Sequence, residues 1–152
     1  MERIKPESKN FLIDLDGVLT NGKQYITQSG EKLFKAFHSR DTAAIREMIF
    51  NGWRVVIVTA DDCPSGTFYA EKVGAEFIHL RDKSKIPFKD NEFLAVGDSS
   101  WDIPMLKKSL ISFCPLDASE EVKQTVQVIL TTKGGSGVIE EIWRMINQSN
   151  AL

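Results

Sequence analysis

Short, nearly uninterrupted apolar runs alternate along this chain with segments of helical periodicity, and that alternation constrains the fold more than any other feature. The runs cover residues 11–15, 54–59, 76–80, 93–96, 110–113 and 126–130. Continuous rather than alternating apolar runs are typical of strands that are buried on both faces of a parallel sheet. The sequence therefore predicts an α/β fold, with a Rossmann-like, mostly parallel sheet flanked by helices.

Length and charge narrow the function classes. The chain has 152 residues, the usual size of one domain, so we expect residues 1–152 to form a single domain. Its 19 Lys and Arg residues against 21 Asp and Glu residues give a net charge of −2. This balance argues against non-specific binding to nucleic acid or to a membrane surface. Residues 1–10 are polar and lack the apolar stretch of a secretory signal, so we expect a cytoplasmic location.

A β-hairpin flap is predicted after the first strand, over residues 24–37, with its turn at Ser29 and Gly30. Four apolar side chains fall on both of its faces, namely Ile26, Leu33, Phe34 and Phe37. A free hairpin that is apolar on two sides is an aggregation hazard. We therefore expect the flap to pack in a homo-oligomer.

The connection between the third and fourth strands is unusual. Residues 81–91 contain Pro87 and show no helical pattern. Parallel strands are normally joined by a dozen or more residues that include a helix. We therefore expect this crossover helix to be missing and part of one sheet face to be uncovered.

Polar clusters follow four of the predicted strands. Asp14 and Asp16 end the first strand, Thr59 ends the second, Lys85 follows the third, and Asp98 with Ser99 and Asp102 follows the fourth. Each cluster alone is also typical of a turn, a helix cap or a solvated charge. Because the carboxyl ends of parallel strands share one edge of the sheet, however, all four are expected to meet there. Paired carboxylates at such an edge suit a hard cation together with acid–base chemistry.

In this order the clusters resemble the four motifs of the haloacid dehalogenase-like phosphohydrolases. The resemblance runs from about residue 11 to residue 146 and is most specific at 14–22, 37–46, 97–105 and 134–141. Within that superfamily the chain is most similar to the phosphatases of 3-deoxy-manno-octulosonate 8-phosphate and of nonulosonate 9-phosphates. Those enzymes lack a cap domain, and here the hairpin, helices and strands already occupy the two places where a cap could be inserted.

The resemblance implies a role for each clustered residue. Asp14 would be the nucleophile that forms an aspartyl-phosphate, and Asp16 the general acid and base. Thr59 and Lys85 would hold the phosphoryl oxygens. Mg²⁺ would be bound by Asp14, Asp98 and the main-chain carbonyl of Asp16, with Ser99 and Asp102 around it. Many relatives carry a second acidic residue where this chain has Ser99.

The implied substrate is a small phosphorylated sugar acid, but two patterns conflict over which one. The implied substrate-binding residues are Ser39, Arg40, Asp41, Arg46, Asp61 and Lys72. Those near residue 40 resemble the octulosonate phosphatases, whereas Asp61 and Lys72 resemble the nonulosonate enzymes. Arg46 is the favoured partner of the substrate carboxylate, because its planar guanidinium can engage both oxygens. The block from 37 to 41 also includes Asp41 as the expected N-cap of a helix that stops at Gly52.

Two other function classes fit parts of this residue pattern. A vestigial domain of the same fold could bind or oligomerise without turnover, and Ser99 and Ala60 keep that hypothesis open. A phospho-accepting receiver domain also uses an Asp, a Thr and a Lys on a parallel sheet. Its acceptor Asp ends a later strand, however, whereas here Asp14 and Asp16 follow the first strand, so that class is discounted.

Overall fold

The computed structural model describes residues 9–150, with the side chains of the last two excepted. The described residues form a six-stranded sheet in which every neighbouring pair of strands is parallel. In chain order the strands are β1 (Asn10–Asp14), β2 (Arg54–Thr59), β3 (Glu76–His79), β4 (Leu94–Val96), β5 (Ile111–Cys114) and β6 (Val128–Ile129). Their order across the sheet is β3-β2-β1-β4-β5-β6. The predicted parallel α/β sheet is thus confirmed.

Helices cover both faces of this sheet. They are α1 (Ser39–Phe50), α2 (Pro64–Val73), α3 (Ile103–Lys108), α4 (Glu120–Thr125) and α5 (Val138–Asn150). The helices α1, α2 and α5 pack on one face, and α3 and α4 pack on the other. The face under α1, α2 and α5 forms the first core, and the face under α3 and α4 forms the second core. In β1, for example, Phe11 and Ile13 point into the first core and Leu12 into the second, and all three are fully buried. This two-sided burial explains why the strands appear in the sequence as continuous apolar runs.

The connection from β3 to β4 contains a single 3-10 turn, Lys83–Lys85, in place of a crossover helix. The expected loss of that helix is confirmed, but the expectation of an uncovered sheet face is wrong. Ile86 is 6% exposed and joins Val56 and Val58 of β2 in the second core, with Phe88 partly buried beside them. Apolar side chains of the extended connection therefore fill the place of the missing helix.

The flap, residues 24–37, is a hairpin held by few backbone contacts. Ile26 and Lys32 form one antiparallel bridge, and the amide of Leu33 donates to the carbonyl of Tyr25 at 2.8 Å. The described residues of the flap contain no longer strand than this. At its base Phe37 stacks on Tyr69 of α2, with ring centroids 3.8 Å apart. The flap is therefore a short arm fixed at its base rather than a pair of sheet strands.

The described part of the chain has no helix that is both long and apolar enough to cross a membrane. The polar segment expected at residues 1–10 lies almost wholly outside the described residues.

Candidate active site

The carboxyl ends of β1, β2 and β4 lie side by side because β1 pairs with β2 on one side and with β4 on the other. The strand order therefore changes direction at β1, and in parallel sheets a crevice opens at the carboxyl edge at such a point. Here the crevice is a cleft of about 450 Å³. Its walls include Asp14, Asp16, Thr59, Asp61, Lys83 and Asp102.

The turn after β1 sends two carboxylates in different directions. Asp14 is buried, whereas Asp16 is partly exposed. Between them and the next strand, Gly17 has a φ of 84°, in the left-handed region that favours glycine. A Cβ on Gly17 would lie 1.8 Å from Asp98 Oδ2, so a side chain there would displace Asp98. The glycine thus allows the Asp98 carboxylate to approach the β1 turn.

A second glycine loop supports that turn. A Cβ on Gly134 would lie 1.9 Å from the carbonyl oxygen of Gly17, and the amide of Gly135 donates to the carbonyl of Val18. In the structure this loop packs against the back of the β1 turn.

Three carboxylates gather at the bottom of the cleft. Asp14, Asp98 and Asp102 each place an oxygen within 4.8 Å of the others. Burial and the nearby Asp102 charge raise the pKa of Asp14 well above its usual range, and burial raises the pKa of Asp98 to about 6. Buried carboxylates that lie close together are stabilised by a nearby cation. Their oxygens are also the ligands that a hard divalent cation such as Mg²⁺ prefers, so this cluster fits such a cation.

Lys83 supplies the cation of this cluster. Its Nζ donates to Asp14 Oδ1 at 2.7 Å and to Asp102 Oδ1, and its side chain is 3% exposed. Asp102 in turn accepts the backbone amides of Asp98 and Ser99 through Oδ2, at 2.9 and 3.2 Å. Asp102 therefore holds both Lys83 and the loop that carries Asp98. The sequence predicted Asp102 only around the metal site, whereas the structure places it in the carboxylate cluster itself.

The prediction that Lys85 joins this cluster is wrong. Lys85 is exposed and is not among the residues that line the cleft. Residues two apart in a 3-10 turn point in different directions, whereas residues three apart share a side. Lys83 lies three residues before the buried Ile86, so that spacing is the sequence signal that identifies Lys83 as the inward-facing lysine.

Thr59 and Asp61 form the wall on the β2 side. Thr59 is 3% exposed, and its Oγ1 accepts the amide of Asp61 at 3.0 Å. Asp61 is held by two lysines of the flap: Lys32 reaches its Oδ1 at 2.8 Å and Lys35 its Oδ2 at 2.9 Å. Lys35 also donates to both oxygens of Asp16, at 2.8 and 3.0 Å. The flap is thereby attached to the cleft through charged contacts.

The other residues that the resemblance assigns to substrate do not line the cleft of their own chain. Ser39 is exposed at the start of α1, and Arg40 pairs with Glu140 at 2.9 Å. Arg46 donates to the main-chain carbonyl of Lys72 at 3.2 Å, and the Lys72 side chain is exposed on α2. Of the predicted substrate-binding set, the structure brings Asp61 alone among these described residues to the cleft.

Asp41 is fully buried and acts as a helix cap, but not of its own helix. His38 caps α1, since its Nδ1 accepts the amide of Arg40. Asp41 Oδ1 instead accepts the amides of Ile139 and Glu140 in the first turn of α5. The prediction that Asp41 caps its own helix is therefore wrong, and the residue lies in the packing between α1 and α5.

Arg81 is a cleft residue that the sequence did not single out. It is exposed, lines the cleft beside His79 and Trp101, and makes no hydrogen bond or ion pair with the described residues. Trp101 is 72% exposed on the same rim. The only sequence signal for Arg81 is its place directly after the third apolar run.

Asp14 lies beside a buried lysine, and two further carboxylates and a threonine lie at neighbouring strand ends. This arrangement is typical of hydrolases that use an aspartate nucleophile. Residues 83–142 match the family described as haloacid dehalogenase-like hydrolase. They include Lys83, Asp98 and Asp102 of the cluster, so the matched segment covers the third and fourth groups of site residues.

Relatives over nearly the full chain narrow this class. The chain is 30% identical to 3-deoxy-D-manno-octulosonate 8-phosphate phosphatase KdsC of Haemophilus influenzae, over 95% of this chain and 86% of that protein. It is 29% identical to KdsC of Escherichia coli K12, over 87% of this chain and 75% of that one. The chain belongs to this KdsC family of haloacid dehalogenase-like phosphatases.

Solved structures agree with the fold. The cobalt-bound octulosonate phosphatase (YrbI) of H. influenzae superposes with a TM-score of 0.87 at 28% identity, covering 96% of this chain and 91% of that one. The Moraxella catarrhalis octulosonate phosphatase, described in complex with magnesium, phosphate and KDO, has a TM-score of 0.86 at 21% identity, covering 95% and 88%. Both share the parallel sheet that positions the cleft.

Proposed function

We propose that this protein is a Mg²⁺-dependent phosphatase that hydrolyses the phosphomonoester of a small sugar acid, of the 3-deoxy-octulosonate 8-phosphate or nonulosonate 9-phosphate type. The observation that carries the proposal is the placement of Asp14. It is buried between Lys83 and two more carboxylates, yet opens onto a cleft large enough for a sugar phosphate. The family relatives are named for the octulosonate substrate.

The chain's own residues supply a two-step reaction. In the first step an Asp14 oxygen forms a bond to phosphorus, the bond to the sugar oxygen breaks, and Asp16 gives that oxygen a proton. In the second step Asp16 takes a proton from water, the water oxygen bonds to phosphorus, and the Asp14–phosphate bond breaks to release phosphate. Lys83 and the Thr59 hydroxyl neutralise and orient the phosphoryl oxygens.

A bound Mg²⁺ would be held by oxygens of Asp14 and Asp98, with Asp102 beside them, and would supply charge neutralisation at the transferring phosphoryl group. Lys83 holds Asp14 in the cluster by a contact of 2.7 Å. Asp16 is kept outside it by Lys35 and by the Thr20 hydroxyl, which donates to Asp16 Oδ1 at 3.2 Å. The two carboxylates of the β1 turn thus stay separate in role.

The substrate carboxylate requires a further cation, and Arg81 is the residue best placed to bind it. Lys32, Lys35 and Lys83 are each already paired with a carboxylate. Arg81 lines the cleft without such a partner among the described residues. Its planar guanidinium can engage both carboxylate oxygens. Arg81 therefore replaces Arg46 in this role.

The test is phosphate release from sugar phosphates, with and without Mg²⁺. We expect release from octulosonate 8-phosphate or a nonulosonate 9-phosphate with Mg²⁺, and loss of release after metal chelation. Asp14→Asn keeps the volume of the side chain but removes the nucleophile, so it should abolish turnover while the protein remains folded by circular dichroism. Full activity of Asp14→Asn would overturn the proposal. No observation favours the alternative of a vestigial domain without turnover.

We also propose that the enzyme is a homo-oligomer, most simply a tetramer, assembled through the flap. Ile26, Leu33 and Phe34 are 55%, 57% and 56% exposed. Leu33 and Phe34 border one largely apolar hollow together with Phe68 of α2, which is 69% exposed. Exposed apolar surface of this kind is typical of an interaction site. The single-domain organisation and a cytoplasmic location stay predictions.

A further inference from the structure

Lys35 connects the flap to the chemistry of the cleft. Its Nζ contacts Asp16 Oδ1 at 2.8 Å, Asp16 Oδ2 at 3.0 Å and Asp61 Oδ2 at 2.9 Å. The Lys35 side chain is 11% exposed, so these contacts are largely shielded from water. Lys32 binds the remaining oxygen of Asp61 at 2.8 Å. One ammonium is therefore shared between the proposed acid–base residue and a carboxylate that follows β2.

The charges of this network support one another. Burial opposes a charged Lys35, but its hydrogen bonds to Asp16 and Asp61 outweigh burial and raise the pKa of Lys35 above its ordinary value. Burial alone would raise the pKa of Asp61, but hydrogen bonds from Lys32 and Lys35 hold that pKa well below its usual range. Lys35 and Asp61 are thus both ionised at neutral pH. Without Lys35, the carboxylates of Asp16 and Asp61 would lie close together with no ammonium between them.

Asp61 is also held by contacts with its neighbours along the chain. Its Oδ1 accepts the amide of Cys63 at 3.0 Å, and its own amide donates to Thr59 Oγ1. It is therefore a rigid anchor at the end of β2, whereas the flap that carries Lys35 has few backbone contacts of its own. The lysine is positioned by Asp61 at one end and by the flap base at Phe37 at the other.

We propose that Lys35 is a positioning residue for Asp16 and that Asp61 is its anchor. The inference rests on the proposed phosphatase function and names the step affected. An ammonium bridging both oxygens fixes the direction of the Asp16 carboxylate and gives it a counter-charge. That arrangement serves the second step, in which Asp16 takes a proton from water, the water oxygen bonds to phosphorus, and the bond to Asp14 breaks with its electron pair returning to Asp14.

The experiment compares Lys35→Gln, Lys35→Arg and Asp61→Asn with the unmodified enzyme. Lys23→Gln is the matched control, because Lys23 is an exposed lysine that precedes the flap and does not line the cleft. Each variant is assayed with Mg²⁺ on a sugar acid phosphate and on p-nitrophenyl phosphate, which has no carboxylate. The mass of protein quenched in acid during turnover measures the fraction that carries a phosphoryl group, and the melting temperature measures stability.

Because the second step is common to all substrates, we expect Lys35→Gln to lower kcat by about 10-fold to 100-fold on both substrates, the usual size for a residue that orients a functional group. Phosphorylated enzyme should accumulate. Lys35→Arg should restore much of the rate, Asp61→Asn should show a smaller loss in the same direction, and Lys23→Gln should show none.

Two outcomes would overturn the proposal. A raised KM for the sugar acid phosphate alone, with kcat unchanged, would show that Lys35 binds the substrate carboxylate. Equal losses without phosphorylated enzyme, accompanied by a lower melting temperature and no rescue by arginine, would show a structural role. Failure of the proposed function is distinct from both, because the unmodified enzyme would then release no phosphate from any of these substrates.

Discussion

Lys83 illustrates how a single residue can hold an acidic site together. Its ammonium lies between Asp14 and Asp102, and all three side chains are at least nine-tenths buried. Removing one partner of such a group leaves uncompensated charge in the interior, which costs about 3–5 kcal/mol. The same lysine is placed to contact a phosphoryl group at Asp14. We therefore expect both the stability of the protein and its catalytic activity to depend on the Lys83 side chain.

A pair of lysine variants tests this assignment. Lys83→Met should lower kcat by about 10²–10³-fold, the usual loss when a preorganised donor is removed, and should also lower the melting temperature. Lys85→Met should change neither, because Lys85 is exposed outside the cleft. Steady-state kinetics on protein shown to be folded at the assay temperature make the comparison. A large loss in Lys85→Met with normal Lys83→Met activity would contradict the structure.

A second pair tests the cation for the substrate carboxylate. Arg81→Gln should raise KM for the sugar acid phosphate by about 10-fold or more, because a hydrogen bond to a charged group is worth about 1.5–3 kcal/mol. Its KM for p-nitrophenyl phosphate should hardly change. Arg46→Gln should leave both values unchanged, since Arg46 contacts the Lys72 carbonyl outside the cleft. The reverse result would return the role to Arg46, acting in a neighbouring subunit's cleft.

Among the secondary-structure elements, α1 and α5 are joined by a buried cap. Asp41 of α1 satisfies two of the free amides at the start of α5, with one carboxylate oxygen left without a partner. Burial raises the pKa of Asp41 despite the hydrogen bonds from Glu140 and Ile139. The resemblance implied that Asp41 binds substrate. In the structure it instead lies in the packing between α1 and α5.

We predict that Asp41→Ala destabilises the protein by about 0.5–2 kcal/mol, the usual cost of losing a helix cap. The pKa of Asp41 is raised in the folded state, so its proton is held more tightly there than in the unfolded chain. Its contribution is therefore present at low pH and is lost as pH rises through the raised pKa. Urea unfolding at several pH values measures both effects. A loss of kcat/KM in folded Asp41→Ala, with stability unchanged, would instead indicate a role in the cleft.

The described residues place no cap domain over the cleft. Between β1 and β2 the described chain forms only the turn after β1, the flap and α1, and between β2 and β3 only α2. The flap is attached through Lys32, Lys35 and Phe37, and its outer apolar side chains face solvent. An oligomer that buries these side chains would also restrict the flap over the cleft.

Phe34→Asp should dissociate the proposed oligomer, because it would place an unpaired charge in an apolar contact. Phe50→Asp is the matched control: Phe50 is 91% exposed at the end of α1, away from the flap. Sedimentation velocity should show a smaller species for Phe34→Asp and an unchanged one for Phe50→Asp. A monomeric unmodified protein would refute the assembly directly.

The apolar pattern alone was enough to predict the sheet, its parallel direction and the residues at its carboxyl edge. Continuous apolar runs identify strands that are buried on both faces, and polar residues at their ends must meet when the strands are parallel. For that reason Asp14, Asp16, Thr59 and Asp98 were identified without a structure. The structure brings the first three to the cleft and Asp98 into the carboxylate cluster with Asp14. The missing crossover helix was equally readable, since residues 81–91 carry no helical pattern.

Contacts between segments that are distant in sequence could not be predicted from local patterns and became visible in the folded chain. Which of two lysines in one short turn faces inward depends on the packing of Ile86 against β2, and Asp41 finds its partners 98 and 99 residues away. The pairing of Lys35 with Asp16 and Asp61 depends likewise on where the flap folds back over the cleft. Charged side chains carry no periodic signal of their partners, because their positions are set by the distance between folded elements rather than by local spacing.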